Sequence, residues 1–213
     1  MKKRLTIIQM DVHVNDIEYN YTRVQELLSQ SLSERPDIIV LPETWNTGFY
    51  PSKELINIAD RNGERTQSLL SVFAKEHNVN IVGGSVAVAK NDVVFNTSYA
   101  YNREGTLVGE YSKMHGFSPA KEDQYFAGGT HTTHFELDGI PCSTVICYDI
   151  RFPELVRMAA LPNTELLFVP AQWPTMRRRH WQVLNEVRAI ENQLFVCAVN
   201  GCGTVGRVQS TGH

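Results

Sequence analysis

Short apolar runs alternate with longer segments of helical periodicity along most of the chain. Apolar runs of strand length lie at 5–10, 37–43, 79–89, 93–102, 107–113, 133–137, 143–147, 165–171 and 194–200. Apolar residues recur three or four positions apart, as in an amphipathic helix, at 17–32, 64–77, 153–161 and 177–193. The pattern therefore predicts a protein of alternating strands and helices.

Three segments carry more specific signals. Asn15 or Asp16 is a suitable N-cap for the helix over 17–32. The segment 114–130 has no periodicity and is rich in glycine, proline and charge, so it predicts a loop, and long loops in compact domains are often functional. The helix over 177–193 carries one apolar stripe, predicted to be its buried face, formed by His180, Val183, Leu184, Val187, Ile190 and Leu194.

The alternation predicts the α/β fold class. Continuous apolar strands indicate a sheet covered by helices, and the hairpin-like strands in the middle of the chain favour a mixed sheet. Two sheets stacked face to face are the alternative arrangement. With 213 residues and no linker or repeat, one domain over 1–213 is favoured over two small ones.

Composition excludes several classes of partner. The formal net charge of -3 argues against a nucleic-acid surface, and the basic triplet 177–179 is typical of a solvated helix face. No apolar run is long enough to cross a membrane. The four cysteines form no CxxC pair, so we expect free thiols in a reducing cytoplasm.

Three reactive side chains stand at the carboxyl ends of apolar runs, where ligands gather in open α/β sheets. They are Glu43, Lys113 and Cys147. Taken alone, Cys147 is more typical of a buried core thiol, and a strand-end glutamate or lysine is usually solvated. Together they offer a nucleophile, a base and a cation, which are the groups that amide hydrolysis requires. Pro153 also favours a helix start after Cys147, and the positive end of that helix is expected to favour a thiolate.

The segments LPETWNTGF, YSKMHGF and CYDIRFPEL contain these residues in this order. They resemble the three signature segments of the nitrilase, or carbon–nitrogen hydrolase, superfamily, and the resemblance spans nearly the whole chain. It implies a four-layer αββα sandwich. It also implies hydrolysis of non-peptide C–N bonds through a covalent thioester, with no metal or organic cofactor.

The resemblance assigns roles by motif. Glu43 matches the general base, Lys113 the lysine that stabilises the oxyanion, and Cys147 the nucleophile. The backbone N–H of Tyr148 completes the oxyanion hole. Glu122, in KEDQYFAGG, matches a second glutamate that positions the lysine.

The segment AQWPTMRRRHWQVLNEVRAIENQLFV resembles the ω-amidase-like branch, whose members hydrolyse the terminal amide of 2-oxo acid amides such as 2-oxoglutaramate. Such a small-molecule substrate carries a carboxylate, so an arginine is expected in the pocket. Arg177 is the candidate that the branch pattern indicates. Arg151 is the alternative, but it can equally anchor a nearby carboxylate. Trp173 is either a pocket wall or a core residue.

Other interpretations stay open from the sequence. Within the superfamily, a nitrilase, a carbamoylase or a methionine-salvage amidase is an alternative, and an inactive remnant is the non-enzymatic one. The chain stops where the family continues into further C-terminal strands, so we expect those strands to be missing. The full-length family form implies a homodimer. His131 with His134 is not expected to bind a metal, and Cys197 with Cys202 is not expected to form a redox pair.

Overall fold

The computed structural model of the protein describes residues 2–49, 51–161, 163–205 and 208–212. The helices are α1 (Ile17–Ser31), α2 (Leu55–Ile58), α3 (Glu64–His77), α4 (Glu122–Tyr125), α5 (Pro153–Ala160) and α6 (Arg178–Asn192). The strands are β1 (Leu5–Ile7), β2 (Ile38–Val40), β3 (Asp60–Arg61), β4 (Asn80–Val82), β5 (Val86–Lys90), β6 (Val93–Tyr101), β7 (Leu107–Ser112), β8 (His134–Leu137), β9 (Ile140–Thr144), β10 (Leu166–Ala171), β11 (Phe195–Asn200), β12 (Cys202–Val205) and β13 (Val208–Thr211). Short 3-10 turns lie at Leu32–Glu34, Ser118–Ala120, Cys147–Arg151 and Thr175–Arg177.

The first sheet contains seven strands in the order β1-β2-β4-β6-β5-β3, with β7 also paired to β6. β4 and β5 pair with different parts of the long β6, because the chain turns at Gly83 and Gly84 between them. Gly84 has a φ of +62°, and a Cβ at this position would lie 2.0 Å from the carbonyl oxygen of Pro42. The absence of a side chain thus lets the turn after β4 pack against the backbone just before Glu43.

The second sheet has the order β11-β10-β9-β8. β9, β10 and β11 are parallel, and β8 pairs with β9 as an antiparallel hairpin. β12 and β13 form a separate antiparallel hairpin after β11. The sequence pattern predicted β8 to β11 but not this last hairpin, because its strands are short and rich in polar residues and glycine.

Apolar side chains from both sheets pack against each other and form the central core. The first sheet contributes Ile38, Val40, Val82 and Ala100, and the second contributes Phe135, Leu137, Phe168 and Val199. α1 and α3 cover the outer face of the first sheet, and α5 and α6 cover that of the second. The result is the four-layer αββα sandwich, so the two-sheet alternative is the correct one. None of the helices in the described ranges is long and apolar enough to cross a membrane.

Most predicted helix positions are confirmed. Asp16, rather than Asn15, caps α1, and its Oδ1 accepts a hydrogen bond of 3.2 Å from the backbone N–H of Tyr19. The helix predicted over 64–77 is α3, with the same bounds. Pro153 stands at the first position of α5, as predicted.

The predicted buried stripe of α6 is only partly correct: Leu194 is buried and Leu184 packs against the core, but three of its residues face solvent. His180, Val187 and Ile190 are exposed, Ile190 by 75%. The buried residues of α6 are Trp181 and Arg188. An arginine faces inward because its Nε donates to the carbonyl oxygen of Ile150, 3.0 Å away, and this bond to the backbone compensates for its burial. The apolar residues that remain outside leave α6 with a second, solvent-facing apolar surface.

Candidate active site

The ends of three strands bring the candidate side chains together. Glu43 lies three residues beyond β2, Lys113 one residue beyond β7, and Cys147 three residues beyond β9. β2 and β7 belong to the first sheet and β9 to the second, so both sheets contribute to the site. The expectation that these strand ends meet is thus fulfilled across the sandwich rather than along one sheet edge.

Lys113 is the centre of a buried cluster of charges. Its Nζ lies 2.7 Å from Oε1 of Glu43 and 2.8 and 2.9 Å from the two carboxylate oxygens of Glu122. Both carboxylates are fully buried and Lys113 is 3% exposed. The loop over 114–130 delivers Glu122 at the start of α4, and Oε2 of Glu122 also accepts the N–H of Phe117.

Burial and the neighbouring charges shift the pKa values of this cluster. Burial lowers the pKa of Lys113, but the charges of Glu43 and Glu122 outweigh this effect and raise it overall. Lys113 is therefore a permanent cation here. Burial raises the pKa of Glu122, Lys113 opposes the shift, and the charge of Glu43 adds to it. Two carboxylates thus share one ammonium group at a buried position.

Cys147 begins the 3-10 turn that follows β9, with a φ of +46°. This left-handed conformation is costly for a residue other than glycine and turns the chain sharply at the thiol. The buried carboxylate of Asp149 holds the turn, because Oδ2 accepts the N–H of Ile146 at 3.0 Å and the hydroxyl of Tyr111 at 2.7 Å. Its other oxygen accepts the N–H of His115 at 2.9 Å. The nucleophile turn is therefore tied to the loop that leaves Lys113.

The thiol of Cys147 is not favoured as a thiolate at rest. Burial raises its pKa well above the ordinary value, Glu43 adds to the shift through its charge and a hydrogen bond, and Lys113 opposes it. Burial and Glu43 thus oppose the thiolate that the following helix is expected to favour. The 3-10 turn separates Cys147 from α5, and burial beside a carboxylate dominates.

A cavity of about 330 Å³ opens beside these groups. Its walls are mainly apolar, and Phe49, Phe117 and Met176 are among them. Glu43, Lys113 and Cys147 line it, whereas Glu122 lies behind Lys113 and does not.

Two arginines also line the cavity. The guanidinium of Arg151 lies 4.9 Å from the ring centre of Trp173, and that of Arg177 lies 5.0 Å from the ring centre of Phe117. Neither arginine forms an ion pair with a carboxylate among the described residues. Arg151 instead donates to Nδ1 of His180 at 3.3 Å.

The predicted pocket residue Trp173 fulfils both of its interpretations. It is 4% exposed and packs against Trp181, with 5.3 Å between ring centres. It also lines the cavity, and its Nε1 donates to the carbonyl oxygen of Arg177 at 2.9 Å. Tyr148 lines the cavity as well, directly after the nucleophile candidate.

Comparison with known proteins identifies the family. A family model described as Carbon-nitrogen hydrolase matches residues 4–213. The chain belongs to the carbon–nitrogen hydrolase family. It is 41% identical over 213 residues to a 2-oxoglutaramate amidase of Bacillus subtilis, covering all of this chain and 82% of the relative. An omega-amidase of Danio rerio is 32% identical, with 93% and 74% covered. A solved CN-hydrolase superfamily structure from Xanthomonas campestris superposes with a TM-score of 0.90 at 30% identity, covering all of this chain and 81% of that one.

The resemblance drawn from the sequence motifs is therefore correct, and the chain is a carbon–nitrogen hydrolase of the nitrilase superfamily with ω-amidase-like relatives. Its fold is that of the superfamily.

The site also contains residues that sequence reasoning missed. The side chain of Asn96 in β6 donates to Glu43 and Glu122. The backbone N–H of Gln172 donates to Oε2 of Glu43 at 2.8 Å. The β12–β13 hairpin adds Cys202 and Ser210 among the cavity walls. The only available signals were an asparagine in the middle of an apolar strand and a glutamine directly after one.

The other motifs form neither a metal site nor a disulfide among the described residues, although one of their cysteines reaches the cavity. His131 and His134 are exposed, and among the described residues no group of three or more His, Cys, Asp or Glu side chains is arranged to hold a metal ion. Cys197 and Cys202 are both unpaired, Cys197 in the core between the sheets and Cys202 at the cavity.

Proposed function

We propose that this hydrolase is an amidase that releases ammonia through a thioester on Cys147. The observation that carries the proposal is the convergence of three side chains on one cavity: the thiol of Cys147, the carboxylate of Glu43 and the ammonium of Lys113. A thiol paired with a base is an activated nucleophile, and the adjacent cation stabilises negative charge that develops on the substrate.

Acylation begins with proton transfer from Sγ of Cys147 to Glu43. The thiolate attacks the amide carbon, and the carbonyl oxygen becomes an oxyanion held by the backbone N–H of Tyr148 and the charge of Lys113. At rest, the Nζ of Lys113 donates to carboxylate oxygens. Once Glu43 is neutral, its hold on Lys113 weakens, and one N–H of the ammonium becomes available for the oxyanion.

Glu43 also transfers the proton in the steps that complete acylation and hydrolyse the thioester. Glu43 returns its proton to the amide nitrogen, the C–N bond breaks, and ammonia leaves a thioester. Glu43 then takes a proton from water, and the hydroxide attacks the thioester carbon. The C–S bond breaks to release a carboxylic acid and the thiolate, and Glu43 returns its proton to Sγ, which restores the thiol and the carboxylate. Glu122 is assigned a positioning role because it contacts Lys113 but not the cavity.

We propose short 2-oxo acid amides, with 2-oxoglutaramate as the leading candidate, as the substrate class. The relatives named above as a 2-oxoglutaramate amidase and an omega-amidase support this class. The cavity supports it independently, because a small apolar chamber with two guanidinium groups that form no ion pair among the described residues suits a short chain that ends in a carboxylate. Arg151 and Arg177 are the proposed carboxylate ligands, and Trp173 forms the wall between them.

The decisive experiment measures ammonia release from 2-oxoglutaramate and 2-oxosuccinamate together with the intact mass of the enzyme during turnover. We expect ammonia from at least one substrate and an acyl adduct on Cys147. Cys147→Ala should abolish both. Cys142→Ala is the matched control, because Cys142 is a buried thiol between the sheets and does not line the cavity. Activity that survives Cys147→Ala without an adduct overturns the mechanism.

We propose further that the hydrolase forms a homodimer through the layer of α5 and α6. Arg157 of α5 donates to the carbonyl oxygen of Glu191 of α6, so the two helices are neighbours. Large apolar side chains face outward on this side of the sandwich. Met158, Leu161, Val187 and Ile190 are 40–75% exposed, and Phe195, at the start of β11, is 77% exposed. Such an apolar surface favours a partner, and a second copy of the chain is the proposed partner.

Location and domain organisation complete the proposal. We infer a cytoplasmic enzyme, because Cys142, Cys147, Cys197 and Cys202 are all unpaired, as in a reducing compartment. We also infer one domain over 1–213, since the active site draws residues from both sheets. Cell fractionation and limited proteolysis test the two statements: we expect activity in the cytosolic fraction and no stable fragment.

A further inference from the structure

Asn96 of β6 touches every charged member of the buried cluster. Its Nδ2 donates to Oε1 of Glu43 at 2.9 Å and to Oε1 of Glu122 at 3.3 Å. The backbone carbonyl oxygen of Asn96 accepts a hydrogen bond from the backbone N–H of Lys113 at 2.9 Å. Asn96 is 1% exposed and does not line the cavity. It therefore acts on the charged groups without access to the substrate.

The orientation of the amide is determined by these contacts. The two N–H groups face two carboxylates, and the Oδ1 atom has no hydrogen-bond partner within the described part of the chain. The opposite orientation would turn the amide oxygen toward two carboxylate oxygens, which is repulsive. The fold thus leaves a buried acceptor unsatisfied in order to present both donors to Glu43 and Glu122.

The charge count explains what these donors do. Glu43 and Glu122 share the single ammonium of Lys113, and burial together with Glu43 raises the pKa of Glu122. A proton shared between the two carboxylates would occupy the base that must accept the thiol proton. Neutral N–H donors favour the ionised carboxylates without adding another charge.

We propose that Asn96 is a positioning residue that keeps Glu43 ionised and fixed between Lys113 and Cys147, and so sets the lower pH limit of catalysis. This role rests on the proposed function of Glu43 as the base. Asn96 also links β6 to Lys113 through its backbone and to both glutamates through its side chain.

The test uses Asn96→Leu, which keeps the size of the side chain and removes both donors. The acid limb of the kcat/KM profile should move to higher pH by about one unit, or about tenfold in rate at a fixed pH on that limb. KM should stay within about twofold, because Asn96 does not line the cavity. A profile that keeps its acid limb at the wild-type pH overturns the proposal, whatever its amplitude.

Asn80→Leu is the matched control. Asn80 is a buried asparagine of the same sheet, its Nδ2 donates to the backbone carbonyl of Asp37, and its Oδ1 likewise has no partner in the described ranges. Asn80→Leu should leave the acid limb unmoved. An equal shift in both variants would mean that any buried substitution in this sheet has the effect, and the proposal would fall.

A second measurement does not depend on catalysis. Because the donors stabilise ionised carboxylates, Asn96→Leu should lower the urea midpoint at least about twice as much at pH 8 as at pH 5. The decrease in the urea midpoint that Asn80→Leu causes should be the same at pH 8 and at pH 5. If the wild type hydrolyses no amide, the proposed function fails while this measurement still decides the role of Asn96.

Asn96→Asp, which keeps the shape and adds a third acid, replaces Asn96→Leu if that variant does not fold, and it should move the acid limb further in the same direction.

Discussion

The Nζ of Lys113 lies 2.7 Å from Oε1 of Glu43, and the two groups are brought together from strands that are 70 residues apart in the chain. Glu122 occupies the other side of the same ammonium. Because all three side chains are buried, each depends on the others for its charge. The three charges therefore depend on one another, and we expect that the effects of mutating two of these residues on stability and activity do not add.

Lys113→Met should show this dependence directly. It leaves two buried carboxylates without a cation, so we expect a loss of about 3–5 kcal/mol in the free energy of unfolding, as for other broken buried pairs. Activity should disappear as well. In Lys113→Met/Glu122→Gln, part of the stability should return while activity remains absent. Urea unfolding at pH 7.5 measures the stability of both variants. Equal stability of the single and double variants would contradict the expectation.

The thiol of Cys147 should react slowly with iodoacetamide at neutral pH. Burial and Glu43 raise its pKa, so the thiolate is scarce at pH 7 and increases as the pH rises above about 8.5, the ordinary value for cysteine. Lys113 opposes the shift, so Lys113→Met should raise the pKa further and slow the reaction at every pH below it. Alkylation is followed by the mass of the peptide that contains Cys147, with a cysteine in an unstructured peptide as the reference. Faster reaction than the reference at pH 6 would refute this expectation.

The left-handed backbone at Cys147 should have a measurable cost. Glycine adopts a φ of +46° without strain, whereas alanine does not. Cys147→Gly should therefore unfold at higher urea concentration than Cys147→Ala, with a difference of about 1 kcal/mol, although both are inactive. Ala198→Gly is the reference, because Ala198 lies in β11 and is not among the residues with positive φ. There glycine should be the less stable residue. Lower stability of Cys147→Gly than of Cys147→Ala would mean that the turn stores no strain.

Much of this fold follows from local patterns in the sequence. α1 and α3 were predicted from periodicity because each packs one apolar face on the first sheet. The motif residues Glu43, Lys113 and Cys147 were found because chemically reactive groups at strand ends are unusual in combination. Local pattern and tertiary structure agree at these positions.

The errors have a common physical cause, which is that the partner of a side chain is not visible in its own segment. Ile190 was assigned to a buried face because α6 reads as a one-sided helix, yet the inward face carries Arg188, bound to a backbone oxygen of the nucleophile turn. Asn96 was overlooked because its partners come from two other segments. The raised pKa of Cys147 likewise depends on burial, which the position of Pro153 does not reveal.

The two cavity arginines should differ in their effects. The guanidinium of Arg151 lies over the rings of Trp173 and Tyr148 and donates to His180. The guanidinium of Arg177 lies over the ring of Phe117 and forms no ion pair or side-chain hydrogen bond among the described residues. If a fixed guanidinium binds the substrate carboxylate, Arg151→Leu should raise KM for 2-oxoglutaramate by about 10- to 100-fold, the loss of one charged hydrogen-bonded contact.

Butyramide, a short amide without a carboxylate, is the control substrate for both variants. We expect its turnover to change by less than about threefold, because no charged contact is lost with it. Arg177→Leu should have the smaller effect on 2-oxoglutaramate. Equal losses on butyramide and 2-oxoglutaramate would show that the arginines support the structure of the cavity and do not bind a carboxylate.

The outward apolar surface of α5 and α6 should hold two copies of the hydrolase together. Ile190 of α6 is 75% exposed on this surface, so Ile190→Glu places a charge where the second copy is expected to pack. Sedimentation equilibrium should give a dimer for the wild type and a monomer for the variant. Val72→Glu is the matched control, because Val72 is half-exposed on α3, in the outer layer on the opposite side of the sandwich, and it should remain dimeric. A wild-type monomer, or an Ile190→Glu dimer as tight as the wild type, would exclude this surface as the interface.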